Sequence, residues 1–250
     1  MAPQDAAAAQ PPSTGMGDFS RLTGVLFEPS KTFTDIARRP SWILPLVLMI
    51  LASMGVTALF SQRVGWERLI RHQIETSSRA QQLSPEQREQ AIATQSRLAP
   101  VFGYAGTLVA IPLYCLLAAG VFTGLVAGVM SVPVRFRQAF AVVAYASLPN
   151  VVAALLTGVV MLLKNPDDFD LQNPLMFNAG AFMDPEHSSK FLHSMATSID
   201  LFSFWVILLM ATGLKAAGGK KLSFGGALFV VVLPWAVYVL AKSGLTGMFG

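Results

Sequence analysis

The chain has 250 residues, of which 53% are hydrophobic and only 13% are charged, with a formal net charge of +4. A soluble domain has roughly 25% charged residues, so the composition excludes a water-soluble fold and predicts an all-α integral membrane protein. The basic residues are scattered over short connections between apolar runs, which argues against a nucleic-acid partner. The single cysteine, Cys115, excludes an intrachain disulfide bond and a cysteine-based metal cluster.

The N-terminal region is polar at first and then amphipathic. Residues 1–17 are rich in alanine, proline, glutamine and glycine, and we predict a disordered tail followed by one membrane domain, 18–250. The first segment of that domain, 18–27, is expected to be a helix that lies on the membrane surface. Its apolar side carries Phe19, Leu22, Val25 and Leu26.

The next segment predicts a second amphipathic interfacial helix, which leads into the bilayer. Pro29 suits the first helical position, where a missing N–H is not needed. Pro40 ends this helix, Ser41 is placed to cap the next one, and Trp42 is placed at the level of the lipid headgroups. Helical spacing separates an apolar face from a polar face. The apolar face has Phe33, Ile36 and Ala37, and the polar face has Lys31, Asp35, Arg38 and Arg39.

Five apolar segments long enough to cross a bilayer follow. We place them at residues 41–60, 101–130, 139–163, 199–217 and 222–241. The first two are joined by the longest polar connection, 61–99, which contains six arginines and four glutamates. Its apolar residues keep helical spacing and Ser84 begins a capping-box sequence, so we predict two helices with a break near Ser84. This connection either extends the adjoining spans into water or forms a docking surface for a partner.

Small residues mark one face of the second span. Gly120, Gly124 and Gly128 are spaced four residues apart, so they share a face of the helix and remove side-chain bulk from it. Such a stripe predicts close packing against another helix, which belongs either to the same chain or to a different one.

The third span contains a polar interruption at its middle. Pro149 removes a backbone N–H from the helix. The hydrogen-bonding side chains within reach of the freed carbonyls are Tyr145, Ser147 and Asn150. We predict a polar kink buried among helices. A ligand site at this discontinuity is the alternative, because broken helices often line cavities.

Two short motifs lie in the segments described above. The front motif consists of Phe27, Pro29, Phe33, Ile36, Pro40 and Pro45, and the middle motif consists of Tyr145, Ser147 and Pro149. Together with the number of spans, they resemble the Yip family, the Ypt/Rab-interacting membrane proteins and their bacterial relatives. The Y-G-P-F segment of eukaryotic members has no counterpart, so the resemblance is to a bacterial-type member. It implies an accessory or scaffold role, with an export-type ABC transporter as one partner class.

The residue pattern argues against catalysis. No Asp, Glu, Lys, Arg or His lies well inside a predicted span, whereas ion-coupled transporters and intramembrane hydrolases usually need one there. His187 and His193 are six residues apart and do not share a helical face, unlike the pair of a helix-borne zinc site. We therefore expect no catalytic residue, no cofactor and no metal site.

The expected function is that of a non-enzymatic scaffold, whose partners are the lipid bilayer and either other membrane proteins or a second copy of the chain. The alternative is a channel or facilitator for a small uncharged solute or a lipid, using the spans that contain prolines. A continuous polar path through the helices would favour the channel. A tightly packed interior with an exposed glycine stripe would favour the scaffold.

An odd number of spans places the two termini on opposite sides of the membrane. With the connection 61–99 set aside, nine lysines and arginines fall on the side of the N-terminus and three on the other side. On this count the positive-inside rule predicts that the N-terminus is inside and the C-terminus outside, whereas counting the connection 61–99 in full gives nine on each side. The resemblance to a bacterial-type member implies that the membrane is the cytoplasmic (inner) one.

Overall fold

The computed structural model describes residues 15–75, 77, 83–166, 169–170, 173–184 and 187–249. Most of the predicted tail, 1–14, lies outside these ranges. Within the described ranges the chain forms ten α-helices: α1 (Asp18–Phe27), α2 (Pro29–Arg38), α3 (Ile43–Arg63), α4 (Trp66–Glu75), α5 (Pro85–Met130), α6 (Phe136–Ala146), α7 (Leu148–Leu163), α8 (Lys190–Ser198), α9 (Leu201–Gly218) and α10 (Phe224–Phe249).

Five helical segments are long and apolar enough to cross a membrane, which confirms the predicted class. They are α3, α5, the consecutive pair α6 and α7, α9 and α10. One end of the bundle contains the first residues of α3, α6 and α10 and the last residues of α5 and α9. We call it the N-terminal end. The opposite end, where α4, the start of α5 and α8 lie, is called the loop end.

The core of the bundle is centred on α6. Every residue from Ala139 to Ala146 is at most 7% exposed. Helices α2, α5 and α9 pack around it. The side chains of α6 are mostly alanine and valine, and small side chains allow helix backbones to approach closely. The interior at this level is therefore tightly packed and apolar.

The two N-terminal amphipathic helices pack against each other and against the N-terminal end of the bundle. Pro29 is the first residue of α2, as predicted. The predicted apolar face of α2 is correct, because Phe33 and its neighbours on that face are buried against α6 and α9. Gly213 of α9 makes this approach possible. A Cβ at Gly213 would clash with Val142 Cγ1 and would lie 3.0 Å from the Phe33 ring.

One prediction for this region is wrong. Ser41 does not cap α3, whose N-cap is Trp42 without a side-chain hydrogen bond. The Ser41 hydroxyl donates to Asp18 of α1 instead. Asp35, on the predicted polar face of α2, forms an ion pair with the buried Arg21 of α1. Helical periodicity predicts which residues share a face of one helix, but it does not predict polar contacts between segments.

Helix α5 joins an extramembrane arm to the second span. The predicted capping box is present, with the Gln87 N–H donating to Ser84 Oγ at 3.2 Å and the Ser84 N–H donating to Gln87 Oε1 at 2.9 Å. From there the helix runs for 46 residues without interruption. The connection 61–99 therefore contains two helices with a break before Ser84, as predicted, and the second helix is an extension of the second span.

The third and fifth spans differ in their bounds from the prediction. Helices α6 and α7 meet at Ser147, so the predicted span 139–163 begins three residues earlier and is broken at its middle. Helix α10 continues to Phe249, beyond the predicted end at residue 241. Gly247 lies inside this last part of the helix and packs against α8, where a Cβ would lie 3.2 Å from Phe191 Cβ. Helix α8 itself was not predicted.

Candidate functional site

The residues of the predicted polar kink point in different directions. Tyr145 is fully buried, and its hydroxyl oxygen lies 3.4 Å from Ser41 Oγ at the N-terminal end. The Ser147 hydroxyl donates to the Val143 carbonyl at 2.8 Å, which satisfies a backbone group beside the break. Asn150 is exposed on α7. The break lies where it was predicted, but the structure does not bring the three polar side chains together into one cluster.

Ser147 and Asn150 instead line a cavity of about 280 Å³ between α3, α5 and α7. Ser53 of α3 and Tyr114 of α5 contribute two further polar side chains, and the rest of the lining is apolar. Small-molecule sites typically start at about 300 Å³ and combine an apolar wall with a few polar groups. This cavity combines the same kinds of lining groups but lies just below that size range, so it has room for no more than a small, mostly apolar ligand. Ser53 and Tyr114 were not predicted as site residues, because the cavity forms only where three helices meet.

A cluster of polar contacts forms around Arg21 of α1. Arg21 is only 3% exposed. Its Nε and Nη2 both lie within 2.8 Å of Asp35 Oδ2, and its Nη1 contacts Asp18 Oδ1 at 3.2 Å. Nη1 also donates to Ser41 Oγ at 2.7 Å. A buried guanidinium is costly unless its N–H groups are paired, and here the pairing links α1 to α2 and to the segment before α3.

This Arg21 cluster reaches α6 at the Tyr145 hydroxyl. The Ser41 hydroxyl donates to Asp18 Oδ1 at 2.8 Å and lies beside the Tyr145 hydroxyl. The cluster thus ties both N-terminal helices to the start of α3 and to the break in the third span. The sequence contained one signal for it, because Arg21 stands beside Leu22 and four residues before Val25, next to the predicted apolar side of the helix.

The residues of the two sequence motifs divide between the core and the surface. Phe33, Ile36, Pro45, Tyr145 and Ser147 are buried. Phe27, in contrast, is 82% exposed at the end of α1. The remaining members lie at helix boundaries: Pro29 begins α2, Pro40 follows it, and Pro149 stands in the first turn of α7.

The glycine stripe of α5 faces away from the rest of the described chain. A Cβ placed at Gly120, Gly124 or Gly128 would meet nothing within 4 Å among the described residues. The opposite face of α5 is the one that packs into the bundle, through Cys115, Ala119, Phe122 and Val126. Packing of the stripe against a helix stays a prediction, and such a helix would have to approach from outside the described part of this chain.

The extramembrane arm of α5 is held by α4 in a helical hairpin. The Trp66 ring lies flat against α5 at Gly103, where a Cβ would be 2.8 Å from ring atom Cζ2. Arg71 of α4 forms ion pairs with Glu89 of α5 at 2.7 Å and with Glu67 at 3.0 Å. The hydrogen bond from the Arg71 guanidinium lowers the pKa of Glu89 below its ordinary value. An aromatic side chain and an exposed ionic contact thus both help to join the two helices of the hairpin.

Comparison with known proteins gives a family match over most of the chain. The model of the Yip1 domain matches residues 23–243, which include both sequence motifs. No curated protein and no solved structure matches the chain. Among the residues that the structure describes, no group of three or more His, Cys, Asp and Glu side chains is placed to hold a metal ion.

Proposed function

We propose that this chain, which belongs to the Yip1 domain family, acts without catalysis as a scaffold or accessory subunit of a membrane complex. The observation that carries the proposal is the exposed glycine stripe of α5. Glycines that share one face of a membrane helix favour close contact with another helix. Here the stripe is open, while the other face of the same helix is occupied by the bundle.

Other glycines of the chain support this interpretation. Gly103 and Gly213 each stand where a Cβ would come within 3.0 Å of a side chain from another helix. In these two places the absence of a side chain lets a neighbouring helix approach closely. The stripe around Gly124 offers the same lack of bulk but meets nothing within 4 Å among the described residues, so a partner helix would have to supply the neighbour.

A second contact surface is available at the loop end. A groove of about 510 Å³ runs between α4 and α5 beside Trp66, and its rim includes Leu98 and Phe102. Phe102 is 71% exposed and Leu98 is 50% exposed. The partner class implied by the family resemblance to bacterial members is an export-type ABC transporter, and a second copy of this chain is the alternative partner.

Photo-crosslinking in native membranes tests the proposal. A photo-reactive residue is placed at Gly124 on the stripe and, as a matched control, at Leu155, which is exposed on α7 away from the stripe. We expect position 124, and not position 155, to capture one reproducible membrane protein. Gly124→Leu is expected to abolish recovery of that partner while leaving the thermal stability of the isolated chain unchanged, since the added side chain enters open space. Equal capture of lipid alone at both positions would refute the proposal.

The cavity beside the break in the third span favours a second candidate function. Four polar side chains, those of Ser53, Tyr114, Ser147 and Asn150, face this cavity between three helices. A facilitator for a small uncharged solute or a lipid would use such groups to form hydrogen bonds that replace those between the transported molecule and water. Flux into liposomes that contain the purified chain is the test. We expect Asn150→Leu to abolish flux if this function is correct, and flux equal to that of protein-free liposomes would exclude it.

We further propose a location in the cytoplasmic membrane with the N-terminus inside. The nine lysines and arginines counted on the side of the N-terminus support this orientation. Cysteine labelling tests it, because the native Cys115 is fully buried. A membrane-impermeant maleimide applied to intact cells is expected to label Gln90→Cys on α5 and to leave Ser30→Cys on α2 unlabelled. Labelling of Ser30→Cys and not of Gln90→Cys would show that the N-terminus lies outside, which would contradict the proposed orientation.

A further inference from the structure

A strongly basic pocket lies at the N-terminal end of the bundle, next to the Arg21 cluster. It has a volume of about 560 Å³ and is lined by four arginines, together with Ser41 and Asp18. Arg21 comes from α1, Arg38 and Arg39 come from the end of α2, and Arg137 comes from the start of α6. Three separate parts of the sequence therefore bring their guanidinium groups to one place.

The charges in this pocket are not balanced by the chain. The carboxylates of Asp18 and Asp35 pair with Arg21, which is buried. Within the described residues, Arg38, Arg39 and Arg137 form no ion pair with a carboxylate, and all three are exposed. Like charges held near one another repel, so this arrangement favours an anion that contacts several of them at once.

The level of the pocket relative to the membrane indicates which kind of anion it binds. Arg39 lies four residues before Ile43, the first residue of α3, and Arg137 is the second residue of the third span. Ile43 and Phe136 are exposed apolar residues at these same two helix starts. The pocket therefore stands at the level where water gives way to hydrocarbon, with apolar surface directly below it. That is the position of a lipid headgroup above its acyl chains.

We propose that this arginine pocket binds the phosphate group of an anionic membrane lipid. Guanidinium groups bind phosphate oxygens through paired, charge-assisted hydrogen bonds. Arg38, Arg39 and Arg137 supply these donors from two helices, and the Arg21 cluster fixes the helices relative to each other. The exposed apolar surface at Ile43 and Phe136 accommodates the acyl chains of the same lipid.

The test uses the full chain reconstituted into phosphatidylcholine nanodiscs with a small fraction of spin-labelled phosphatidylglycerol. The measured quantity is the preference of the protein for this probe over spin-labelled phosphatidylcholine. We expect the preference to fall about tenfold or more in Arg38→Gln/Arg39→Gln/Arg137→Gln, since each basic group near a membrane surface contributes to anionic-lipid binding. All three side chains are exposed, so the variant is expected to keep the wild-type thermal stability.

A matched variant distinguishes lipid binding in the pocket from a general effect of positive charge at this end of the bundle. Lys215→Gln/Lys220→Gln/Lys221→Gln removes three exposed positive charges from the same end of the bundle without touching the pocket. It is expected to keep the lipid preference. An equal loss in both variants, or no loss in the arginine variant, would overturn the proposal. Competition by inorganic phosphate would also overturn it, because the ligand would then be a soluble phosphate rather than a lipid.

Discussion

Substitution of Gly213 tests how the N-terminal helices are attached to the bundle. Gly213→Ala places a methyl group between α9, Val142 of α6 and the ring of Phe33 of α2. Overpacking of a tight core lowers the free energy of unfolding by about 1–3 kcal/mol. The higher helix propensity of alanine relative to glycine offsets up to about 1 kcal/mol of this loss. Because both neighbours are fully buried and cannot swing away, we expect a net loss of about 1–2 kcal/mol in the free energy of unfolding.

A loss of this size corresponds to a fall in Tm of about 2–8 °C for a chain of this length, measured on the purified protein in detergent. Gly124→Ala is the matched control, since its methyl group enters open space and we expect no fall in Tm. Val142→Ala removes the clashing Cγ1, so the double variant Gly213→Ala/Val142→Ala is expected to lose less stability than the two single losses added together. Strict additivity, or equal behaviour of the two glycine variants, would refute the packing argument.

Three further predictions concern the ionic contacts and the cap. Arg21→Met leaves the partly buried carboxylate of Asp35 without its partner, and we expect a loss of about 3 kcal/mol, measured as reduced thermal stability; wild-type stability would show that the ion pair is dispensable. Ser84→Ala removes the cap of α5 and is expected to cost about 1 kcal/mol, seen as faster hydrogen exchange confined to the first turns of the helix; unchanged exchange would contradict this. The hydrogen bond from Arg71 lowers the pKa of Glu89. This contact therefore stabilises the hairpin fully at a pH above the ordinary pKa of a glutamate, and the stabilisation is lost as the pH falls through the lowered pKa. Exchange in α4, corrected for its intrinsic pH dependence, is expected to rise on acidification in the wild type and less so in Glu89→Gln; identical profiles would contradict the assignment.

The sequence was informative wherever one helix could be considered alone. The apolar face of α2, the proline at its first position and the capping box at Ser84 all depend on neighbouring residues of one segment, and all are present. The five spans follow from length and hydrophobicity in the same way. The break in the third span was also predictable, because Pro149 cannot donate the hydrogen bond that a continuous helix requires.

Contacts between segments distant in sequence could not be predicted. Arg21 and Asp35 are fourteen residues apart and belong to two different helices, so no periodicity connects them. The cavity beside Ser147 has walls from three helices, and the arginine pocket combines residues of α1, α2 and α6 with the segment that leads into α3. In each case the individual residue was visible in the sequence, whereas the distance to its partner depends on how separate helices pack together.

The length of α5 has a mechanical consequence. At about 1.5 Å per residue, its 46 residues form a rod of about 69 Å, which is more than twice the thickness of the hydrocarbon core. Pro100 and Pro112 lie inside this continuous helix without a backbone N–H to donate, and helices bend most readily at prolines. A load applied to the arm would thus reach the glycine-bearing face as a change in tilt, because both prolines lie between the arm and the stripe.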